Sequence, residues 1–455
     1  MFSRIFSQII NTSLCLVLGL LIATAADAQK VTPENALESY LGNGDKTFKW
    51  ELKDSFVRGN LTFYNLLLTS QKWREFTWTH QLTIIVPKEN KHDDALLFIT
   101  GGSNEKELPK WNGKKDDDMY TSLGGVASTN HAIVALLKQT PNQPFFGDLT
   151  EDALISYTLH NFKKDKDYTW PLLFPMVKSA VKAMDAIQQF SKKQLKHDVN
   201  RFVVSGASKR GWTTWLTGAS DKRVEAIAPM VIDVLNMPVS LDYQIKSWGD
   251  YSVQIEDYVK LGIPQSTGSP DGQAITTMID PYSYRAKLTM PKMIFMGTND
   301  EYWVVDNIKN YLDKIPGNNM LHYVPNAGHD LGGGAQAMEA LSAFFGATVN
   351  KTPYTECKWS QSVAKGTVSL DIKATSDALV DVILWSANST DQDLRNDTWT
   401  AKSLGISKKS AVKVTESLPK SGFRAFYVDL KYKTPKGDLY TESTRVFLTN
   451  NKSVL

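Results

Sequence analysis

Between Ala95 and Phe345 the chain alternates short, mainly apolar runs with segments of helical spacing, and that alternation leaves few folds open. The runs are ALLFIT (Ala95–Thr100), HAIVALL (His131–Leu137), FVV (Phe202–Val204), VEAIAPMVI (Val224–Ile232), KMIFM (Lys292–Met296) and Leu321 to Val324. Apolar runs this short, without polar alternation, fit strands buried on both faces, which is the environment of a parallel sheet covered by helices. Leu172 to Phe190 supplies one such helix, with Val177, Val181, Met184 and Ile187 on one face, and Ala335 to Phe345 a closing one. The expected class is α/β, a mainly parallel sheet with helices on both faces. Ahead of it FKWEL, FYNLLLTS and WREFTWTHQLTIIVP, between Thr47 and Pro87, alternate and are rich in aromatics, as antiparallel strands do. His80, inside them, reads as a structural histidine.

One strand-to-helix junction carries a candidate nucleophile. In VNRFVVSGASKRGWTTW the apolar run ends at Gly206-Ala207-Ser208, and a helix begins with Trp212, Trp215 and Leu216 on one face. The serine at the apex of that turn resembles the nucleophile elbow of α/β-hydrolases, where the hydroxyl stands above the sheet. The usual G-x-S-x-G is altered, because Arg210 replaces the last glycine and Gly211 follows it. Gly and Ser also occupy ordinary turns of this kind, so the tripeptide alone is weak.

Company downstream strengthens it. A serine hydroxyl needs a base beside it and an acid to orient that base. Strand KMIFM runs into Gly297-Thr298-Asn299-Asp300-Glu301, and the next strand into Asn326-Ala327-Gly328-His329-Asp330. Ser208, Asp300 and His329 thus follow the order Ser, acid, His, each after a strand, as in α/β-hydrolases. Asp233, after the strand that follows the elbow, is the alternative acid; Asp306 reads as a helix N-cap and His322 as a mid-strand residue. Oxyanion donors are expected from the backbone N–H of Lys209 and from Gly102 or Ser103, where paired glycines end strand ALLFIT. Lys209 and Arg210 either face an acidic substrate group or point outward from the first helical turn. Glu151 and Asp152 open another helix and either sit there as first-turn carboxylates or meet a cationic group. Asp116-Asp117-Asp118 lack the glycine and terminal glutamate of a calcium loop and read as a solvated loop. Neither metal nor organic cofactor is expected.

At 455 residues, 42% apolar and 22% charged, the chain has room for more than one domain. Its net charge of +3 (51 minus 48) gives no reason to expect a nucleic-acid partner. Residues 1–28 have the make-up of a signal peptide: Arg4, an apolar core from Leu14 to Ala23, and Ala26-Asp27-Ala28 before the cut. Export to the periplasm or beyond follows, with no integral membrane segment after removal. Cys357 alone would remain, so no internal disulfide is expected. Residues 29–350 then form the α/β domain, with Val234 to Met290 as a helical cap, since that stretch is too long for a plain loop. From 351 to 455 the pattern changes to short alternating strands (TVSLDIK, VDVILWSA, SAVKVTES, FRAFYVDLKY, TRVFLTN), an all-β sandwich of immunoglobulin or fibronectin type. It reads as a stabilising module or one that binds a protein partner.

Several longer segments are more specific. GASKRGWTTWLTGASDKRVEAIAPMVID, LTSQKW with WTHQLTIIVP, QTPNQP, WPLLFPMVKSAVKAMD, DPYSYR and GTNDEYW are similar to the PhoPQ-activated pathogenicity-related protein family, from about Leu68 to His329. The resemblance implies an exported α/β-hydrolase-like protein. The family is named for a bacterial regulon linked to virulence and resistance to cationic antimicrobial peptides, and it includes secreted eukaryotic regulators of proliferation. It implies the triad Ser208, Asp300 and His329 and makes Lys209-Arg210 part of the family pattern, but it supplies no substrate. The chain is therefore expected to be a serine hydrolase acting on a small ester or amide, with two rivals. One is a peptidase for short or cationic peptides, favoured if Glu151 or Asp152 faces the pocket. The other is a binding or signalling protein on a hydrolase scaffold.

Overall fold

The computed structural model describes residues 30–111, 117–405 and 410–455. The expected signal peptide and Lys114 to Asp116 of the acidic loop lie outside these. Strands are β1 (Lys49–Arg58), β2 (Leu61–Trp73), β3 (Phe76–Pro87), β4 (Asp94–Ile99), a small hairpin of β5 (Asn104–Glu105) and β6 (Leu108–Pro109), β7 (Ile133–Leu137), β8 (Arg201–Ala207), β9 (Val224–Met230), β10 (Lys292–Gly297) and β11 (Asn319–Val324). β12 (Cys357–Ala364), β13 (Thr367–Ala374), β14 (Leu379–Ser389), β15 (Thr400–Ser403), β16 (Ala411–Ser417), β17 (Phe423–Lys433), β18 (Leu439–Ser443) and β19 (Phe447–Thr449) follow.

The main sheet runs β1-β2-β3-β7-β4-β8-β9-β10-β11 and then on through β18-β17-β14-β15, with β19 beside β17. From β7 to β11 every pairing is parallel, while β1, β2 and β3 are antiparallel. The β7-β4-β8 order, with helices on both faces and an antiparallel start, is the α/β-hydrolase fold. Successive residues of β4 serve opposite faces, as the pleat requires. Leu97 and Ile99 pack with Ile187 and Trp215 of helices Leu173–Phe190 and Lys209–Ser220. Leu96 and Phe98 pack with Leu123 and Phe345 of helices Asp118–Asn130 and Ala335–Val349. Such a buried side chain contributes about 1.5–3 kcal/mol, and a two-faced core of this size fixes the strand ends that carry the site.

The aromatic stretch is divided differently from the sequence reading. WREFTWTHQLTIIVP is not one strand: Trp73 ends β2, and Arg74-Glu75 turns the chain into β3. Arg74 has φ 53° and lays its guanidinium 3.3 Å from the Trp170 ring centroid. Asp117 does not belong to a solvated loop either. Its carboxylate accepts the Met119 N–H at the start of the next helix and pairs with Lys138 at 3.2 Å.

Between β9 and β10 the chain forms helices Met237–Trp248, Glu256–Lys260 and Pro270–Ile279, joined by short 3₁₀ turns. Asp280 holds this insertion down by accepting the N–H groups of Asn236, Met237 and Tyr282. In the C-terminal region β12, β13 and β16 form a second sheet. Its Val368, Leu370 and Ile372 pack against Leu384, Phe426 and Val428 of the first, making a sandwich. One layer of that sandwich is continuous with the α/β sheet. Leu321 of β11 pairs with Ser443 of β18, Tyr323 N–H donates to Ser443 Oγ at 3.0 Å, and His322 Nδ1 meets Thr441 O at 3.0 Å. Burial pushes His322 down to about 4, so this seam holds a neutral imidazole.

Candidate active site

The turn after β8 is built by close approaches. Ser208 has φ 58° and ψ −126°, a conformation costing about 1–3 kcal/mol for a residue with a side chain. Hydrogen bonds on both sides hold it: Ser208 N–H to Met230 O and Trp212 N–H to Ser208 O, each 2.9 Å. A Cβ on Gly211 would stand 2.6 Å from Met230 O, and one on Gly206 2.9 Å from both Ile99 O and Arg210 O. The helix can therefore lie this close to β9 and β8, and β8 this close to β4, only with glycine at those places. Gly211, not residue 210, faces β9, which accounts for the displaced glycine of the motif.

His329 Nε2 is 2.8 Å from Ser208 Oγ, and His329 Nδ1 is 3.0 and 2.9 Å from the two oxygens of Asp300. Asp300 is 5% exposed. Burial raises its pKa, although the His329 hydrogen bond opposes the rise, and Tyr302 N–H also donates to Oδ1 at 2.8 Å. The Tyr302 ring stacks on the imidazole at 4.0 Å between centroids, and Glu301 Oε2 accepts the His329 N–H at 3.1 Å. Asp300 thus sets the tautomer, while its two neighbours fix the ring plane and the loop. GTNDEYW held both neighbours in plain view, but neither residue type announces a supporting role.

Asp233, the alternative acid, stands elsewhere. It is buried with Tyr311 and Asn307 against its carboxyl, and burial pushes it up to about 7. Asp306 occupies an N-cap position but caps nothing with its side chain. It accepts from Lys309 at 2.7 Å and Tyr243 at 2.8 Å instead. His80 is fully buried between Ser70 Oγ and Lys138 O, and burial pushes it down to about 4.

The cations after the serine differ from both sequence readings. They neither point outward nor await a substrate. Lys209 is 9% exposed and pairs with Asp152 at 2.8 Å, while Arg210 pairs with Glu151 at 2.6 Å. Glu151 and Asp152 are in turn spent on the chain's own cations rather than free for a cationic ligand. Burial pushes Glu151 up, but Arg210 outweighs it and holds the carboxyl below its ordinary value.

This network also fastens the loop after β4. Ile99 and Gly206 are register partners, so Gly102 and Ser103 begin beside the elbow. Arg210 Nε donates to Thr140 O at 2.5 Å, and its guanidinium lies where a Cβ on Gly101 would be, 2.5 Å away. Gln143 joins Gly102 O (3.0 Å) to Glu151 Oε1 (2.6 Å). The Lys209 N–H, first in its helix, has no intrahelical acceptor.

Two asparagines flank the acid and the base. Asn299 Nδ2 donates to the carbonyls of Leu394, Arg395 and Asp397 at 3.2, 3.1 and 2.8 Å. Asn326 donates to Trp399 O at 3.0 Å and accepts the Trp399 N–H at 2.7 Å. The C-terminal region therefore braces the loops that carry Asp300 and His329. No sequence signal linked those stretches.

Residues 37–395 match the family described as PhoPQ-activated pathogenicity-related protein. The chain belongs to this family. It is also 30% identical over 444 residues to autocrine proliferation repressor protein A of Dictyostelium discoideum, covering 90% of this chain and 88% of that protein. Among solved structures it is similar to acetyl xylan esterase 1 of Thermoanaerobacterium sp. (TM-score 0.47, 17% identity, 69% of this chain and 95% of that one). It is also similar to an acetyl xylan esterase of Paenibacillus sp. R4 (TM-score 0.45, 11% identity, 70% and 93%). Among the described residues no helix is long and apolar enough to cross a membrane.

Proposed function

We propose that this family member is an exported serine hydrolase that cleaves an ester or amide through an acyl-enzyme on Ser208. The observation that carries this reading is the 2.8 Å contact of Ser208 Oγ with His329 Nε2, backed by Asp300 on the far nitrogen. Ser208 Oγ attacks the carbonyl carbon while His329 takes its proton; the tetrahedral oxyanion turns toward the Lys209 N–H and a donor from Gly102 or Ser103. His329 then gives the proton to the departing alcohol or amine. Water, deprotonated by the same imidazole, releases the acid and restores Ser208. The imidazolium formed in each half is stabilised by Asp300. Export rests on the N-terminal segment and the family name, and a part in virulence or antimicrobial-peptide resistance on the family name alone.

A second reading is a secreted signalling protein on this scaffold, favoured by the likeness to a proliferation repressor over most of the chain. Asp152 does line the cavity beside Ser208, which speaks for a peptidase acting on cationic peptides, but that reading is less favoured because Asp152 and Glu151 already hold Lys209 and Arg210. The test is labelling of the purified protein with a fluorophosphonate beside Ser208→Ala and His329→Ala. Labelling of the wild type, lost in both variants, supports the hydrolase. A folded wild type that takes no label moves the reading to the signalling protein.

A further inference from the structure

Beside the candidate nucleophile lies a cavity of about 80 Å³ whose wall includes Ser208 and Lys209. Its remaining wall is mostly apolar. Trp212 and Ile232 come from the α/β sheet and its helix, and Leu241, Ile255 and Ile275 from the helical insertion after β9. Its charged groups and the Trp212 indole are already matched. Asp152 holds both Lys209 Nζ (2.8 Å) and Tyr258 Oη (2.9 Å), and Trp212 Nε1 donates to Ile279 O at 2.6 Å. A charged group entering this space would lose its hydration and find Lys209 and Asp152 already paired with each other, so it is disfavoured there. An apolar group pays nothing of the kind.

Resting on the serine-hydrolase reading, we propose that this cavity receives the acyl side of the substrate, and that the substrate is an ester of a short, unbranched, uncharged acid. Size sets the chain length. An apolar cavity of ~150 Å³ accepts a benzene ring, so 80 Å³ suits an acyl chain of about two to four carbons. The chain's carbonyl carbon sits at Ser208, its methyl end lies toward Ile255 and Ile275, and the alcohol departs on the side away from the insertion.

The test measures kcat/KM for p-nitrophenyl acetate, butyrate and octanoate, and for arginine p-nitroanilide, on the wild type and on Leu241→Ala and Ile275→Ala. Leu241 is only half-buried, so its variant keeps the test open if Ile275→Ala fails to fold. Fluorophosphonate labelling of each protein reports the triad separately. Acetate or butyrate should exceed octanoate at least tenfold in the wild type, with the anilide slowest, and either variant should shrink that ratio about fivefold or more while labelling normally. A wild type that labels but hydrolyses octanoate or the anilide as fast as butyrate overturns the acyl pocket and leaves the hydrolase reading standing. Variants that label normally with an unchanged ratio overturn it too. No labelling of the wild type removes both.

Discussion

Asn326 and Trp399 hold each other reciprocally: the Asn326 side chain donates to Trp399 O and accepts the Trp399 N–H, at 3.0 and 2.7 Å. Trp399 is buried with Tyr427, so the asparagine is tied to the core of the C-terminal sheet while His329 follows three residues later. Asn326→Ala should therefore lower kcat about 10–100-fold through a misplaced imidazole, with KM nearly unchanged and a Tm fall of a few degrees. Kinetics on a hydrolysed ester and a melting curve check this; a large Tm loss with normal kcat in the surviving fold would place the bond's role in stability alone.

The two candidate acids should separate cleanly. Asp300→Asn presents the wrong partner to His329 Nδ1 and should cost about 10³–10⁴ in kcat, whereas Asp233→Asn should stay within about threefold of wild type. Equal losses in both variants would argue that the acid role is shared.

Asp233→Asn also carries a pH signature. The folded carboxyl titrates at about 7, above the ~3.9 of an unfolded aspartate. Between those values the folded chain keeps a proton that the unfolded chain releases. The contribution of Asp233 thus favours the fold below pH 4 and is lost as pH rises through 7. An asparagine does not ionise, so the Tm of the variant minus that of wild type should increase from pH 4 to pH 8. A difference that stays flat with pH would mean that Asp233 titrates normally.

Arg210→Ala removes the group that joins Glu151 to Thr140 O and fills the space above Gly101. With the loop around Gly102 loosened, acylation should slow by about 10²-fold, the scale of losing one oxyanion donor, and fluorophosphonate labelling should slow in step. Unchanged labelling would show that the loop holds its place without Arg210.

Gly297 ends β10, and a Cβ there would sit 2.4 Å from both Ala327 O and Gly328 O, the residues just before His329. Backbone atoms cannot swing aside as a side-chain tip can. Gly297→Ala should destabilise by about 1–3 kcal/mol and cut activity together, read as a lower urea midpoint and lost turnover.

The strands that bear the site were legible because parallel strands buried on both faces leave an unbroken apolar signature, and Ser208, Asp300 and His329 each stand just after one. The partnership of Glu151 and Asp152 with Arg210 and Lys209 was not legible. Opposite charges 59 and 57 residues apart attract on paper no more than any other such pair in the chain, and only the folding of the segment after β7 against the elbow after β8 brings them together. The turn at Arg74-Glu75 was hidden for another reason: neither residue is a usual turn former, and φ 53° at Arg74 is supported by the indole of Trp170 rather than by local chemistry. Asn299 and Asn326 escaped because hydrogen bonds to distant backbone carbonyls leave no trace in composition or spacing.

The continuity of β11 with β18 has a consequence for the order of biogenesis. A chain made from its N-terminus has delivered Ser208, Asp300 and His329 to solvent well before Trp399 and Ser443 emerge. Until they do, the base-bearing loop lacks its anchor and β11 is an open edge. On the proposed serine-hydrolase reading, full turnover is expected only once the last strands have closed against that loop.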